Sequence, residues 1–179
     1  NTGGTTTYEW TSSNAAVGLT TPGSGNLPVF NAVNNTSAPI STTITVTPTF
    51  ENGGVSCTGT TKTITITVNP TGQVNQPNNV VFCAGDASTA IPFTTSNTIG
   101  TTSYTWTNDT LGIGLNASGT GNIPAFTPIN NTTSPIVATI TVIPTFSNGG
   151  KSCIGPSKVF TITINPRGQV NNVSNIIVC

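Results

Sequence analysis

The chain has 179 residues, of which only 4% are charged: four Lys+Arg, four Asp+Glu and no His. Soluble domains usually carry about 25% charged residues, so Thr, Ser, Asn and Gly must supply the surface polarity here. Zero net charge excludes the electrostatic footprint of a nucleic-acid binder or of a protein docked on anionic lipid, and no run of about 18 apolar residues offers a helical membrane span.

In chain order, residues 6–11, 27–30, 40–50 and 62–69 read as strands. They alternate in polarity or are rich in β-branched residues, and Gly- and Asn-rich turns separate them. The plan then repeats. Residue n matches residue n+96 without insertion or deletion from Asn1/Asn97 to Cys83/Cys179, with 45 identities in 83 positions. The second copy begins with two strands the first lacks, 79–83 (NVVFC) and 90–95 (AIPFTT). There follow 103–107 (SYTWT), a Gly- and Asn-rich stretch 108–122 that reads as loop or short irregular strands, a brief strand 123–126, the long strand 136–146 (IVATITVIPTF) and a closing strand 158–165 (KVFTITIN). Pro144 suits only an edge or a strand terminus, and SNGG at 147–150 turns the chain. No apolar period of 3.6 residues is long enough for a helix.

About seven short strands per unit of roughly a hundred residues predict an all-β fold of tandem immunoglobulin-like, Greek-key β-sandwiches. The expected domains are 1–70, a repeat lacking its first strands; 71–166, a complete repeat; and 167–179, a linker with the first strand of a following repeat. A fixed long period indicates a domain array, and this chain reads as a window onto a longer one. Short Pro/Gly linkers at 69–79 and 165–175 predict a stiff arrangement of neighbours.

Four Cys on a strict register, without CxxC pairs, favour disulfides in an oxidising compartment over zinc. Two pairings fit the register. One joins Cys57 to Cys83 and Cys153 to Cys179. The other joins Cys83 to Cys153 and leaves Cys57 and Cys179 to partners outside the chain. The closing strand should carry Cys57 far from Cys83, whereas a bridge needs Cα atoms within about 7 Å, so the Cys83–Cys153 pair is expected.

Catalysis has little raw material. Glu9, Glu51 and Asp109 align with Thr105, Ser147 and Ser13, and Asp86 lies outside the overlap, so neither a carboxylate pair nor a calcium cage is expected. No cofactor is implied. Tyr8, Trp10, Tyr104 and Trp106 have the spacing of core aromatics on a central strand rather than of a sugar-stacking platform. Lys62 and Lys158 read as solvated residues at strand entry. The sequons at Asn34, Asn35, Asn108, Asn116, Asn130, Asn131 and Asn172 are what so Asn- and Thr-rich a chain produces by chance.

Cys-Ala-Gly at 83–85, Tyr-x-Trp-Thr at 104–107, Thr-Ile-Thr-Val-x-Pro-Thr at 139–145, Cys-x-Gly at 153–155 and Thr-Ile-x-Ile-Asn-Pro at 161–166 together form a pattern. It resembles the PKD-like, immunoglobulin-like repeats of very long Bacteroidota cell-surface proteins. The resemblance covers both copies. It implies export, often by type IX secretion, and a place in surface adhesins, gliding filaments or large secreted proteins. The acidic turn that follows the Trp in better-known PKD repeats is missing: Trp10 precedes Thr-Ser-Ser and Trp106 precedes Thr-Asn-Asp. Asp109-Thr110-Leu111 resembles the O-glycosylation motif of such proteins, which makes Thr110 a candidate site. The expected role is a non-catalytic structural repeat of an extracellular adhesin or filament, a disulfide-stapled rod. Its expected partners are neighbouring repeats, further copies of itself through sheet edges, and surface polysaccharide. The alternative is a spacer or carbohydrate-binding module of a secreted polysaccharide-degrading enzyme.

Overall fold

The computed structural model describes all 179 residues and divides into two compact units. Unit 1 comprises Asn1–Gln73, Ser96–Thr102 and Thr145–Gly155; unit 2 comprises Val74–Thr95, Ser103–Pro144 and Pro156–Cys179. Apart from a 3-10 turn at Ala15–Val17, every element is a strand. No helix is long and apolar enough to cross a membrane.

The strands of the first copy are β1 (Thr5–Ser12), β2 (Gly23–Ser24), β3 (Ile40–Asn52), β4 (Val55–Thr58) and β5 (Lys62–Val68). They form one sheet in the order β2-β1-β3, with β4 and β5 sharing the other edge of β3. β5 pairs with Ile40–Val46, and β4 with Thr49–Asn52. Pro48 falls at the hand-over between them. Its carbonyl accepts from Gly59 N–H at 2.9 Å on that side. In a strand the N–H and C=O of one residue point the same way, so the donor that proline lacks would have faced the gap. A central strand therefore tolerates a proline that sequence rules confine to edges. Pro144 occupies the same gap, between the Val142↔Lys158 and Thr145↔Ile154 pairs.

The second copy contains β6 (Val80–Cys83), β7 (Thr101–Asn108), β8 (Ser118–Thr120), β9 (Ile136–Asn148), β10 (Lys151–Ile154) and β11 (Lys158–Asn165). The sheet order is β6-β11-β9-β7-β8, with β10 also on β9. β6 runs parallel to β11, from Val80↔Ile162 to Cys83↔Asn165; every other pair in the sheet with a defined register is antiparallel. A second layer faces this sheet. Residues 85–91 run antiparallel to 123–128 through Gly85 N–H to Pro128 O, Ser88 N–H to Phe126 O and the reciprocal Ile91/Ile123 bridge. The expected strand at 90–95 is thus reduced to one bridge; β8 is one of the short strands the 108–122 stretch allows, and β10 forms where no strand was expected.

Between the layers of unit 2 lies the larger core: Ile91, Phe93, Trp106, Ile113, Leu115, Ile123, Ala138, Ile140, Val142, Phe160, Ile162 and Ile164 among others. The alternating polarity of β9 and β11 produces it, because every second side chain turns inward. The core of unit 1 is smaller: Trp10, Val17, Leu19, Ile44 and Val68. This is a tandem immunoglobulin-like β-sandwich fold, complete in unit 2 and open in unit 1.

Candidate functional site

The tryptophans come first, since a sugar platform would need an exposed indole. Trp10 and Trp106 are each 3% exposed. Gly23 and Gly119, their strand partners, lie flat on the indoles, and a Cβ at either glycine would overlap the ring. A cleft of about 360 Å³ over Trp10, walled by Glu9, Pro22 and Thr45, therefore meets a covered ring. Both indole N–H groups are buried without an acceptor.

The tyrosines diverge. Tyr104 packs on Phe93 at 5.6 Å between ring centroids, with Phe93 in turn on Phe160 at 6.2 Å. Burial pushes the Tyr104 phenol above its usual pKa, opposed by a hydrogen bond with Thr95. Tyr8, expected in the core, is 47% exposed. Phe93 precedes the part of the second copy that the first repeats, so Tyr8 has no equivalent ring to pack against.

Two side-chain latches, one buried at Asn130 and one half-buried at Asn34, escaped the sequence reading. Asn130 donates both amide protons, to Ser134 O at 2.9 Å and to Ile164 O at 2.8 Å, while its Oδ1 accepts from Thr132. Asn34 does the same with Ala38 O, Val68 O and Thr36. Each ties a loop to a carbonyl at the end of a closing strand. The recurrence of Asn-Asn-Thr-x-x-Pro in both copies, at 34–39 and 130–135, is the signal of these latches in the sequence.

Asp109 is also structural. Its Oδ1 accepts from Thr139 N–H at 2.7 Å and from the Thr110 hydroxyl at 2.8 Å. The Thr139 amide, chiefly, holds the carboxyl below its usual pKa. Ser13, its counterpart, accepts from Thr43 N–H at 2.9 Å, so a hydroxyl and a carboxylate do one job. No three His, Cys, Asp or Glu side chains gather as a metal site would require. Asp86 and Arg167 form a 2.8 Å ion pair with both side chains about two-thirds exposed, a geometry that contributes little.

All four cysteines are free thiols, which corrects the expected Cys83–Cys153 bridge. Cys153 sits opposite Phe146, near the C-terminal end of β9, whereas Cys83 sits beside Asn165, past the Ile164↔Ile136 pair at its N-terminal end. About ten residues of β9 at roughly 3.3 Å each keep the two far beyond bridging distance. The error lay in direction: a β6 parallel to the closing strand carries Cys83 away from the hairpin. Cys57 lies on exposed β4, and Cys179 is exposed.

The most distinctive surface is the free edge of β5, which is hydrogen-bonded only to β3. Ile64 is 49% exposed, while its counterpart Phe160 is 2% exposed. Ile66 and Phe30 are only partly buried, whereas Ile162 is fully enclosed.

No family profile matches the chain, and no curated protein is similar to it in sequence. Among solved structures it is similar to the crystal structure of human mucin-like protocadherin EC1-2. The identity is 11% over 89% of this chain and 85% of that one, with a TM-score of 0.35. The fold assignment rests on the strand order, registers and cores of the chain itself.

Proposed function

We propose that the chain is a non-catalytic structural or adhesive module: part of a tandem β-sandwich array in an extracellular adhesin or filament. The repeat itself carries this reading. A unit of 96 residues recurs without a gap, and what recurs is scaffold: covered tryptophans, asparagine latches and strand caps. The segment leaving β5 is held inside unit 1. Gly72 N–H donates to Cys153 O, Gln73 N–H to Asn97 Oδ1, and Asn97 Nδ2 to Thr71 O, while Asn69 and Asn148 exchange hydrogen bonds through their side chains. The likeness of its motifs to exported Bacteroidota repeats supports an extracellular location, and Thr110 is the residue we propose for O-glycosylation.

Affinity electrophoresis of the chain through gels containing polysaccharides tests this reading against the carbohydrate-binding alternative. The expected result is unchanged mobility in every gel. Retardation abolished by substitutions in 108–122 would instead establish a carbohydrate-binding module.

A further inference from the structure

Asn-Gly occurs twice in the chain, at Asn52-Gly53 and Asn148-Gly149, and each time it turns a strand back on itself. At the second site Gly149 and Gly150 join β9 to β10, and the Asn148↔Lys151 pair closes the hairpin. Both glycines have positive φ, 57° and 73°. So tight a hairpin requires φ > 0 at both central positions, which glycine adopts without strain. The turn therefore demands, directly after Asn148, the residue whose amide nitrogen no side chain shields.

That pair of residues has a chemistry of its own. The Gly149 nitrogen can attack Cγ of Asn148 and close a cyclic imide. The Cγ–Nδ2 bond breaks, and the side-chain nitrogen leaves as ammonia with the Gly149 amide proton. Water then opens the imide to aspartate or isoaspartate, so no enzyme, oxidant or cofactor is needed. The reaction does need a side chain free to swing toward the nitrogen and a peptide plane free to rotate to meet it.

Asn69 withholds both freedoms. Its Oδ1 accepts from Asn148 Nδ2 at 3.0 Å, and its Nδ2 donates to Asn148 O at 2.9 Å. The first bond holds the reacting side chain. The second holds the carbonyl of the peptide plane that contains the Gly149 nitrogen, and a planar peptide turns as one piece. One half-buried residue, 79 positions away in sequence, thus fixes both reacting groups.

We propose that Asn148-Gly149 is a self-modifying site, a deamidation switch that Asn69 holds off. The switch works in one direction. The new carboxylate has no proton to give, so it meets Asn69 Oδ1 as a second acceptor and the reciprocal pair cannot re-form. Its loss frees the start of the segment whose next bonds are Gly72 N–H to Cys153 O and Gln73 N–H to Asn97 Oδ1. Each event also adds one negative charge to a chain of zero net charge.

The test ages the full chain in mildly alkaline buffer, resolves acidic species by isoelectric focusing and assigns them by peptide mapping. Asn69→Ala is expected to raise the rate at Asn148 by roughly tenfold, the order expected when two hydrogen bonds of ordinary net strength are lost. The rate at Asn52 stays unchanged, because the Asn69 amide bonds to Asn148. Asn69→Asp keeps the acceptor for Asn148 Nδ2 and deamidates there more slowly than Asn69→Ala. Asn148→Asp reproduces the product and speeds deuterium exchange at the Gly72 and Gln73 amides. No acceleration at Asn148 in Asn69→Ala, an equal acceleration at Asn52, or unchanged exchange in Asn148→Asp would each overturn the proposal.

Discussion

At the scale of single residues, close approach and buried hydrogen bonds set the tolerances. Gly119→Ala forces a methyl into the Trp106 indole and is expected to destabilise unit 2 by about 1–3 kcal/mol, the usual range for overpacking. A blue or red shift of Trp106 fluorescence with a lowered melting temperature checks it. Asn130→Ala strands the carbonyls of Ile164 and Ser134 and should cost about 1–3 kcal/mol, read by chemical denaturation. Asp109 provides a pH test. Its folded pKa is depressed by the Thr139 amide, so the stabilisation is full above the unfolded value near 3.8. It is lost as pH falls through the folded value. The Thr139 amide resonance should accordingly titrate with a midpoint below 3.8 and cease to titrate in Asp109→Asn.

At the scale of elements, the two closing strands form an internal control. β5 and β11 share a partner geometry on one side and differ on the other. Amides of Thr65 and Thr67 should exchange with deuterium faster than those of Thr161 and Thr163, because the first pair faces solvent and the second faces β6. Equal protection would mean that β5 is already covered in solution. β11 was legible in the sequence because strict alternation over eight residues leaves only one pleated reading. β7 was legible for the same reason, through Tyr104 and Trp106. Residues 90–95 look as strand-like as any, yet only Ile91 forms a bridge, because beyond it the Phe93 amide donates to the Asn122 side chain and not to a neighbouring strand. β10 was missed because Lys-Ser-Cys-Ile has no periodicity of its own. It forms because the long β9 offers it an edge beyond the end of β11. The disulfide was misjudged because strand order can be read from a repeat, whereas strand direction cannot.

At the scale of the molecule, near-absence of charge becomes a physical property. With four cations, four anions and one exposed ion pair, stability should change little between 10 mM and 1 M salt, a range that spans Debye lengths from about 30 Å to 3 Å. Thermal melts across that series check this, and a strong salt dependence would point to electrostatics absent from the structure. Free, exposed thiols at Cys57, Cys83 and Cys179 predict that reductant leaves the melting temperature unchanged. A drop of several degrees would mean that bridges do form in the natural protein.

The asparagine latches have a practical corollary for anyone producing this protein. In a eukaryotic secretory pathway, oligosaccharide is attached to Asn-x-Thr while the chain is still unfolded. Asn34 and Asn130 stand in that context, and each needs both amide protons for the carbonyls it ties. A sugar on either nitrogen would arrive before the latch could close and then prevent it from closing. Yields from such hosts should be poor and rescued by a glycosylation inhibitor, whereas bacterial expression meets no such obstacle.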